Sequence, residues 1–258
     1  MVETPVVKES FGKASKILEE AFVSPSWSLP RKPCVLLEVY TEEHSPLTEA
    51  LRSRGHFALR FTRRDGDLST VDGRRKLWKL IDQYQPLNIW VAPECGPWSG
   101  WNKLNQFKSV AMFDKIQNLQ AKELQHVELC SELCRFQVNR SRQFHLEQPN
   151  GSSIPQLASF EPIHAMTERA SFDMCMFGLK HPVSLKFLRK SSQVFSTDPV
   201  MINRLNLARC DHTHVHQPIE GSVLVHGQRM PLTRFCTSYC KGFASKISLW
   251  MMKSMDQI

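Results

Sequence analysis

Several absences narrow the field before any motif is read. The chain has no apolar run of about eighteen residues, the length a helix needs to cross a bilayer, so no membrane span is expected. Its opening stretch, MVETPVVKESFGKASKILEEAF, is polar and mixed in charge and lacks the apolar core of a signal peptide. Secretion is therefore not expected, which leaves nucleus or cytoplasm as the compartment. Neither an internal repeat nor a low-complexity tract is present, and no Cys-x-x-Cys pair offers a ready-made zinc motif.

What is present suits one α/β domain with an appended lobe. The chain has 258 residues, 41% of them hydrophobic, which is enough for one substantial core. Eight cysteines are scattered at positions 34, 95, 130, 134, 175, 210, 236 and 240, and without a secretory signal they read as reduced thiols. The formal net charge is +8, with basic clusters at Arg52 to Arg64, Arg74 to Lys79, Arg135 to Arg142 and Lys186 to Lys190. That balance fits a polyanionic partner and equally a solvated basic surface.

Apolar spacing over residues 8–22 predicts a short amphipathic helix, followed by a turn-rich linker, so residues 1–30 read as an arm. The core starts with Cys34 to Tyr40, a nearly continuous apolar run of the kind buried in parallel sheets. Ser45-Pro46 then reads as an N-cap and first helical residue, with Gly55 ending that helix. Strands are expected at Phe57 to Phe61, Leu87 to Ala92 and Gln143 to Leu146, and helices at Val71 to Tyr84 and Phe113 to Val138. This alternation indicates a doubly wound, mostly parallel sheet over residues 31–153. Residues 154–232 read as a smaller lobe, and 233–258 as a helix packing back on the core. Ligands of such sheets sit beyond the carboxyl ends of the strands. Cys130 and Cys134, at helical spacing in an apolar stripe, read as core residues.

Two segments carry candidate chemistry. Pro93-Glu94-Cys95-Gly96-Pro97-Trp98-Ser99 follows a buried strand, and its prolines and glycine fix a tight loop that holds a cysteine at the strand's end. Such a cysteine can be a nucleophile or a small buried residue. Cys210-Asp-His-Thr-His-Val-His216 puts Cys210, His212, His214 and His216 on one face if the segment is extended. Cysteine and histidine are the usual zinc ligands, and Cys175 with Cys210, His214 and His216 makes one possible set of four. Cys236 and Cys240 offer another pairing, and a polar loop without metal is the alternative.

The PECGPWS segment resembles the Pro-Cys motif of the S-adenosylmethionine-dependent cytosine-5 methyltransferases. Phe144-His145-Leu146-Glu147-Gln148-Pro149 resembles that family's base-contacting segment, and Leu185 to Lys190 lies where the family supplies a basic strand. A similar run of motifs, with a Cys-x-Phe-Gly turn at Cys175 to Gly178, occurs in methyltransferase-like domains of algal and dinoflagellate retroelements. The resemblance implies a Rossmann-like methyltransferase fold. It implies Cys95 as nucleophile, Glu147 as the acid that holds the base and Arg189 as its support. It also implies a cofactor site at Glu38, Tyr40, Thr41, Asp67 and Pro93. Contacts to nucleic acid, DNA more readily than RNA, would come from Trp98, Ser99, Trp101 and Asn102, with lid packing as their alternative role; Arg63 and Arg64 suit a phosphate.

The cofactor half departs from the family pattern. The loop Glu38 to Ser45 has no glycine, and the second strand ends in Arg60-Phe61-Thr62-Arg63-Arg64 where the family has an acid. Two readings therefore stand: an active cytosine-5 methyltransferase, and an inactive methyltransferase-like module that binds nucleic acid. A cysteine hydrolase is a third, and it requires a histidine within reach of Cys95.

Overall fold

The computed structural model describes residues 33–225 and 227–255. The expected arm over 1–30, with its helix, lies outside the described residues.

Four strands follow the apolar runs. β1 (Cys34–Val39), β2 (Phe57–Phe61), β3 (Asn88–Val91) and β4 (Gln143–Pro149) are parallel and lie in the order β2-β1-β3-β4. All six residues of β1 and all four of β3 are buried, as strands covered on both faces must be. Helices cross between them. α1 (Pro46–Arg52) is capped by the Ser45 hydroxyl, which accepts from Leu47 N–H, and it has proline at its first position. α2 (Val71–Tyr84) is capped by Thr70, and α4 (Val110–Val138) by Ser109; the short α3 (Gly100–Asn105) precedes α4. Cys130 and Cys134 are fully buried on α4, as core residues.

Beyond β4 the sheet continues. β5 (Glu168–Asp173) and β7 (Ser191–Ser196) complete a six-stranded mixed sheet, β2-β1-β3-β4-β7-β5, in which β7 runs antiparallel to both neighbours. The boundary read at 153/154 therefore falls inside the sheet. The reason is burial: Ala170, Phe172, Val194 and Phe195 are fully covered, and pairing β7 to β4 removes an exposed edge from the central sheet. Alternation serves a separate lobe and a sheet extension equally well, so the sequence pattern does not distinguish them. The described residues form one compact unit.

Successive side chains of each strand feed two different cores, as a period of two requires. Leu36, Trp90, Phe172 and Val194 pack with α1, α6 (Pro199–Asn206) and α8 (Lys241–Met255). Leu37, Ile89, Val91, Phe144 and Phe195 pack on the opposite face with α2, α4 and α5 (Glu161–Met166). The sheet thus lies between two helical layers. The C-terminal helix packs on the sheet through Phe243, Ala244, Ile247 and Met251 and starts at Lys241 rather than 233; before it, α7 spans only Leu232–Phe235. What remains outside the layers is small: a β9 (Ser222–Val225) and β10 (Gln228–Pro231) hairpin, and the two-residue parallel pair β6 (Phe187–Leu188) with β8 (His216–Gln217). Among the described residues no helix is long and apolar enough to cross a membrane.

Candidate active site and metal centre

β1 has β2 on one side and β3 on the other, so the strand order reverses there, and the carboxyl ends of β1 and β3 border the crevice where open α/β sheets take ligands. The Cys95 loop leaves β3 at that crevice. Cys95 sits at φ −89°, ψ 2°, in the bridge region, and opens a single turn of 3₁₀ helix over Gly96–Trp98. The loop is tied from three sides. Gln148 of β4 donates to the Pro93 carbonyl at 2.8 Å, Gln120 of α4 donates to Pro97 at 3.1 Å, and Asn102 of α3 donates to Gly96 at 2.8 Å. Ser99 caps α3 and Ser153 N–H donates to the Trp98 carbonyl at 2.8 Å. Cys95 is half-buried. Burial pushes its thiol up from the ordinary value, the charge of Glu147 adds to this, and Lys190 partly offsets it. At neutral pH the group is therefore a thiol.

Glu147 rises from the adjacent strand β4 and is only 5% exposed. Its Oε1 accepts no hydrogen bond, and its nearest cation is Lys190 Nζ at 3.7 Å. The buried Trp98 indole N–H is also without an acceptor. A thiol, a buried carboxylate with a vacant acceptor position and an ammonium are thus grouped at the ends of β3 and β4, with Trp98 on the loop beside them. Tyr239, whose hydroxyl accepts from the Trp90 indole at 2.8 Å, is pushed well above its ordinary pKa by burial and then by the nearby Glu147 and Glu38. Sequence reasoning did not single out Lys190 or Tyr239. It named Arg189 as the basic partner, but Arg189 Nε instead meets Asp173 Oδ1 at 3.3 Å. Neighbouring residues just before β7 face opposite sides, and the register of that strand, which the sequence does not print, gives Glu147 to Lys190.

The cofactor half is built differently from the expectation. Glu38 is buried, and both its oxygens are occupied. Thr41 donates at 3.0 Å, Ser45 at 2.5 Å and Thr48 at 2.7 Å. Burial raises its pKa, and these three hydroxyls only partly offset it. Its visible work is to fold the 40–45 turn onto the start of α1. Tyr40 adopts a left-handed φ of 61°, and its hydroxyl shares a 3.0 Å hydrogen bond with His126 Nδ1. Asp67 is exposed, its carboxylate taken by the backbone and hydroxyl of Ser69, which hold its pKa down. Arg63 and Arg64 are exposed on the rim, where Arg64 pairs with Glu43 of the β1 loop. Two clefts of about 260 Å³ are lined elsewhere, one by Met166, Thr167, Ser196 and Pro199, the other by Leu179, His181, Phe235 and Tyr239; neither includes Cys95, Glu147 or the 38–45 loop. S-adenosylmethionine needs close backbone approach and a free ribose acceptor, and these residues do not fit it.

A histidine partner for Cys95 is likewise absent among the described residues. His145 is fully buried within β4, bonded to Ser196 Oγ at 2.8 Å and Asn88 Oδ1 at 3.0 Å.

The Cys/His cluster assembles. Ligand atoms of Cys175, Cys210, His214 and His216 all lie within 4.8 Å of one another, so these four can hold a metal ion. The route differs from the expectation. Residues 210–215 are not a strand. Asp211 accepts from Thr213 N–H and hydroxyl, His212 takes a left-handed φ of 62° and is exposed, and this turn folds His214 back toward Cys210. His212 drops out of the set for that reason. Cys236 and Cys240 do not join it; the Cys240 thiol donates to the Phe177 carbonyl. No family model, no curated protein and no solved structure matches this chain.

Proposed function

We propose that the chain is a methyltransferase-like module that binds nucleic acid and takes up a nucleobase at the Cys95, Glu147 and Lys190 group. The single observation that carries this reading is the vacant Glu147 Oε1. It is a buried acceptor beside a cation and a thiol, at the carboxyl ends of two adjacent central strands. A buried acceptor left without a donor costs free energy, which a ligand N–H returns on binding. The exocyclic amine of cytosine is such a donor, and a base inside a duplex must leave the stack to reach it. Support for a polyanion comes from the surface after the Cys95 loop. Trp101 and Phe107 are 75% and 79% exposed, and they alternate with the exposed Lys103 and Lys108. Aromatic faces among cations are how single-stranded nucleic acid is held. DNA is the first substrate class to test. The mostly parallel sheet with helices on both faces agrees with a Rossmann-like methyltransferase ancestry, and the sulfur and imidazole donors at the metal centre favour zinc.

Active cytosine-5 methyl transfer is the second reading, and the position of Cys95 favours it. The cofactor half speaks against it. Calorimetry with S-adenosylmethionine and with a cytosine-containing oligonucleotide separates the two. Oligonucleotide binding without cofactor binding supports the module. Micromolar cofactor binding that is lost in Thr41→Val supports the enzyme. Absence of both removes the nucleic-acid reading.

A further inference from the structure

The Cys/His cluster is connected to the candidate base site by a short chain of bonds. Asp173, at the end of β5 and 1% exposed, is the junction. Its Oδ2 accepts from the backbone N–H of Cys210 at 3.0 Å, and its Oδ1 accepts from Ser191 Oγ at 2.8 Å and Arg189 Nε at 3.3 Å. One carboxylate thus joins a cluster residue to both neighbours of Lys190. The Lys190 carbonyl accepts from Met174 N–H at 2.9 Å, one residue before Cys175. His216 pairs with Phe187 in the β6–β8 ladder, and the His214 ring lies 4.2 Å from the Phe187 ring. Two segments of the chain, 173–175 and 210–216, therefore grip residues 187–191.

Two distances within the cluster match those of a tetrahedral zinc site. Zinc bonds of about 2.3 Å to sulfur and 2.05 Å to nitrogen, at tetrahedral angles, put ligand sulfur and nitrogen roughly 3.6 Å apart. Cys210 Sγ lies 3.7 Å from His214 Nε2 and 3.5 Å from His216 Nε2. Four protein ligands leave no open position, which is the pattern of structural rather than catalytic zinc. Cys175 is buried and the other three are half-buried, so the ion would be shielded without being sealed from exchange.

We infer that Cys175, Cys210, His214 and His216 hold one zinc ion, and that this ion clamps residues 187–191 so that Lys190 stands beside Glu147. The zinc half is independent of the proposed function. The clamp matters to that function only if the Glu147 and Lys190 group binds a base.

Metal analysis of the full chain, purified without chelator and also refolded with added zinc, is the first step. The expected content is about one zinc per chain. Cys210→Ser and His214→Ala each lose it, whereas Cys240→Ser, outside the cluster, keeps it. Cobalt replacing zinc gives the intense visible absorption of a tetrahedral site with thiolate ligands. A chain that takes up no zinc under either condition, or one whose zinc survives Cys210→Ser, overturns the site. Since a ligand variant can simply misfold, the clamp is read on the wild-type chain by hydrogen exchange before and after chelation. Exchange at 187–191 and 208–217 should quicken by about tenfold or more, while β1 and β3 stay protected. Unchanged exchange at 187–191 after zinc loss overturns the clamp. None of these readouts uses nucleic acid, so a chain that holds zinc yet binds no oligonucleotide loses the base-binding reading alone.

Discussion

Lys190 Nζ lies 3.7 Å from Glu147 Oε1, while the preceding residue, Arg189, is turned away to the buried carboxylate of Asp173. Two adjacent basic residues thus serve two different buried acids, one at the candidate base site and one at the junction to the Cys/His cluster. Lys190→Met removes the one cation paired with Glu147 among the described residues and leaves a buried carboxylate uncompensated. The expected cost is roughly 2–3 kcal/mol, below the usual range for broken buried pairs because the lysine keeps some solvent contact. Glu147→Gln costs less, and the double variant recovers part of the loss. Urea unfolding of the four proteins closes the cycle. Additive losses would mean that the two side chains do not interact.

His145 sets an acid limit on stability. It is fully buried between Asn88 and Ser196, and burial pushes its pKa down to about 4, partly opposed by Asp198. The folded state therefore favours the neutral ring. The stabilisation is complete above the unfolded value near 6.5 and is lost as pH falls from there toward the folded value. Between those limits the chain should lose on the order of 2–3 kcal/mol from this group alone. Unfolding free energies at several pH values between those limits, compared with His145→Asn, measure it. The variant should be less stable at neutral pH and show a flatter slope; parallel slopes would remove His145 as the cause.

A glycine fixes how the C-terminal helix meets the Met174–Phe177 turn. A Cβ at Gly242, in the first turn of α8, would fall 2.0 Å from the Phe177 carbonyl oxygen, two residues beyond Cys175. Backbone on both sides leaves no flexible atom to yield. Gly242→Ala is expected to cost about 2–3 kcal/mol despite the better helix propensity of alanine. Gly151, where a Cβ meets nothing within 4 Å, serves as the neutral control. Equal thermal midpoints for the two alanine variants would show that α8 can shift outward freely.

The sheet and its helices were legible because each signal was local. CVLLEV and NIWV are apolar runs bounded by breakers, and Ser45-Pro46 is a cap whose hydroxyl accepts as capping residues do. The Cys/His cluster was legible as a set of residue types, although the mechanism of its convergence was not. Extended alternation would have admitted His212, whereas the Asp211–Thr213 turn excludes it. What stayed hidden depended on register. Whether Arg189 or Lys190 meets Glu147 follows from how β7 pairs with β4, Val194 opposite Glu147, and a slip of one residue would exchange their roles. The loss of Glu38 to internal hydroxyls was hidden for a similar reason. Thr41, Ser45 and Thr48 reach it only because the 40–45 turn folds back, with Tyr40 in a left-handed conformation.

The exposed surface beside Cys95 gives the most direct test of a polyanionic partner. Trp101 is 75% exposed, in the helix that Ser99 caps, so truncating it removes a stacking face without touching the core. Trp101→Ala should weaken single-stranded DNA binding by about 1–3 kcal/mol, roughly 5- to 150-fold. Arg63 and Lys108, both exposed, should act differently. Replacing either by alanine should weaken binding for every sequence and reduce the slope of log affinity against log salt by about one each, if each contacts one phosphate. Fluorescence titration at several salt concentrations reads both effects. Stacking loss shifts the line while leaving its slope, and phosphate loss changes the slope. A wild-type affinity that does not vary with salt would mean that the basic surface is merely solvated, and the search for a ligand would then move away from polyanions to a neutral partner for the vacant Glu147 acceptor.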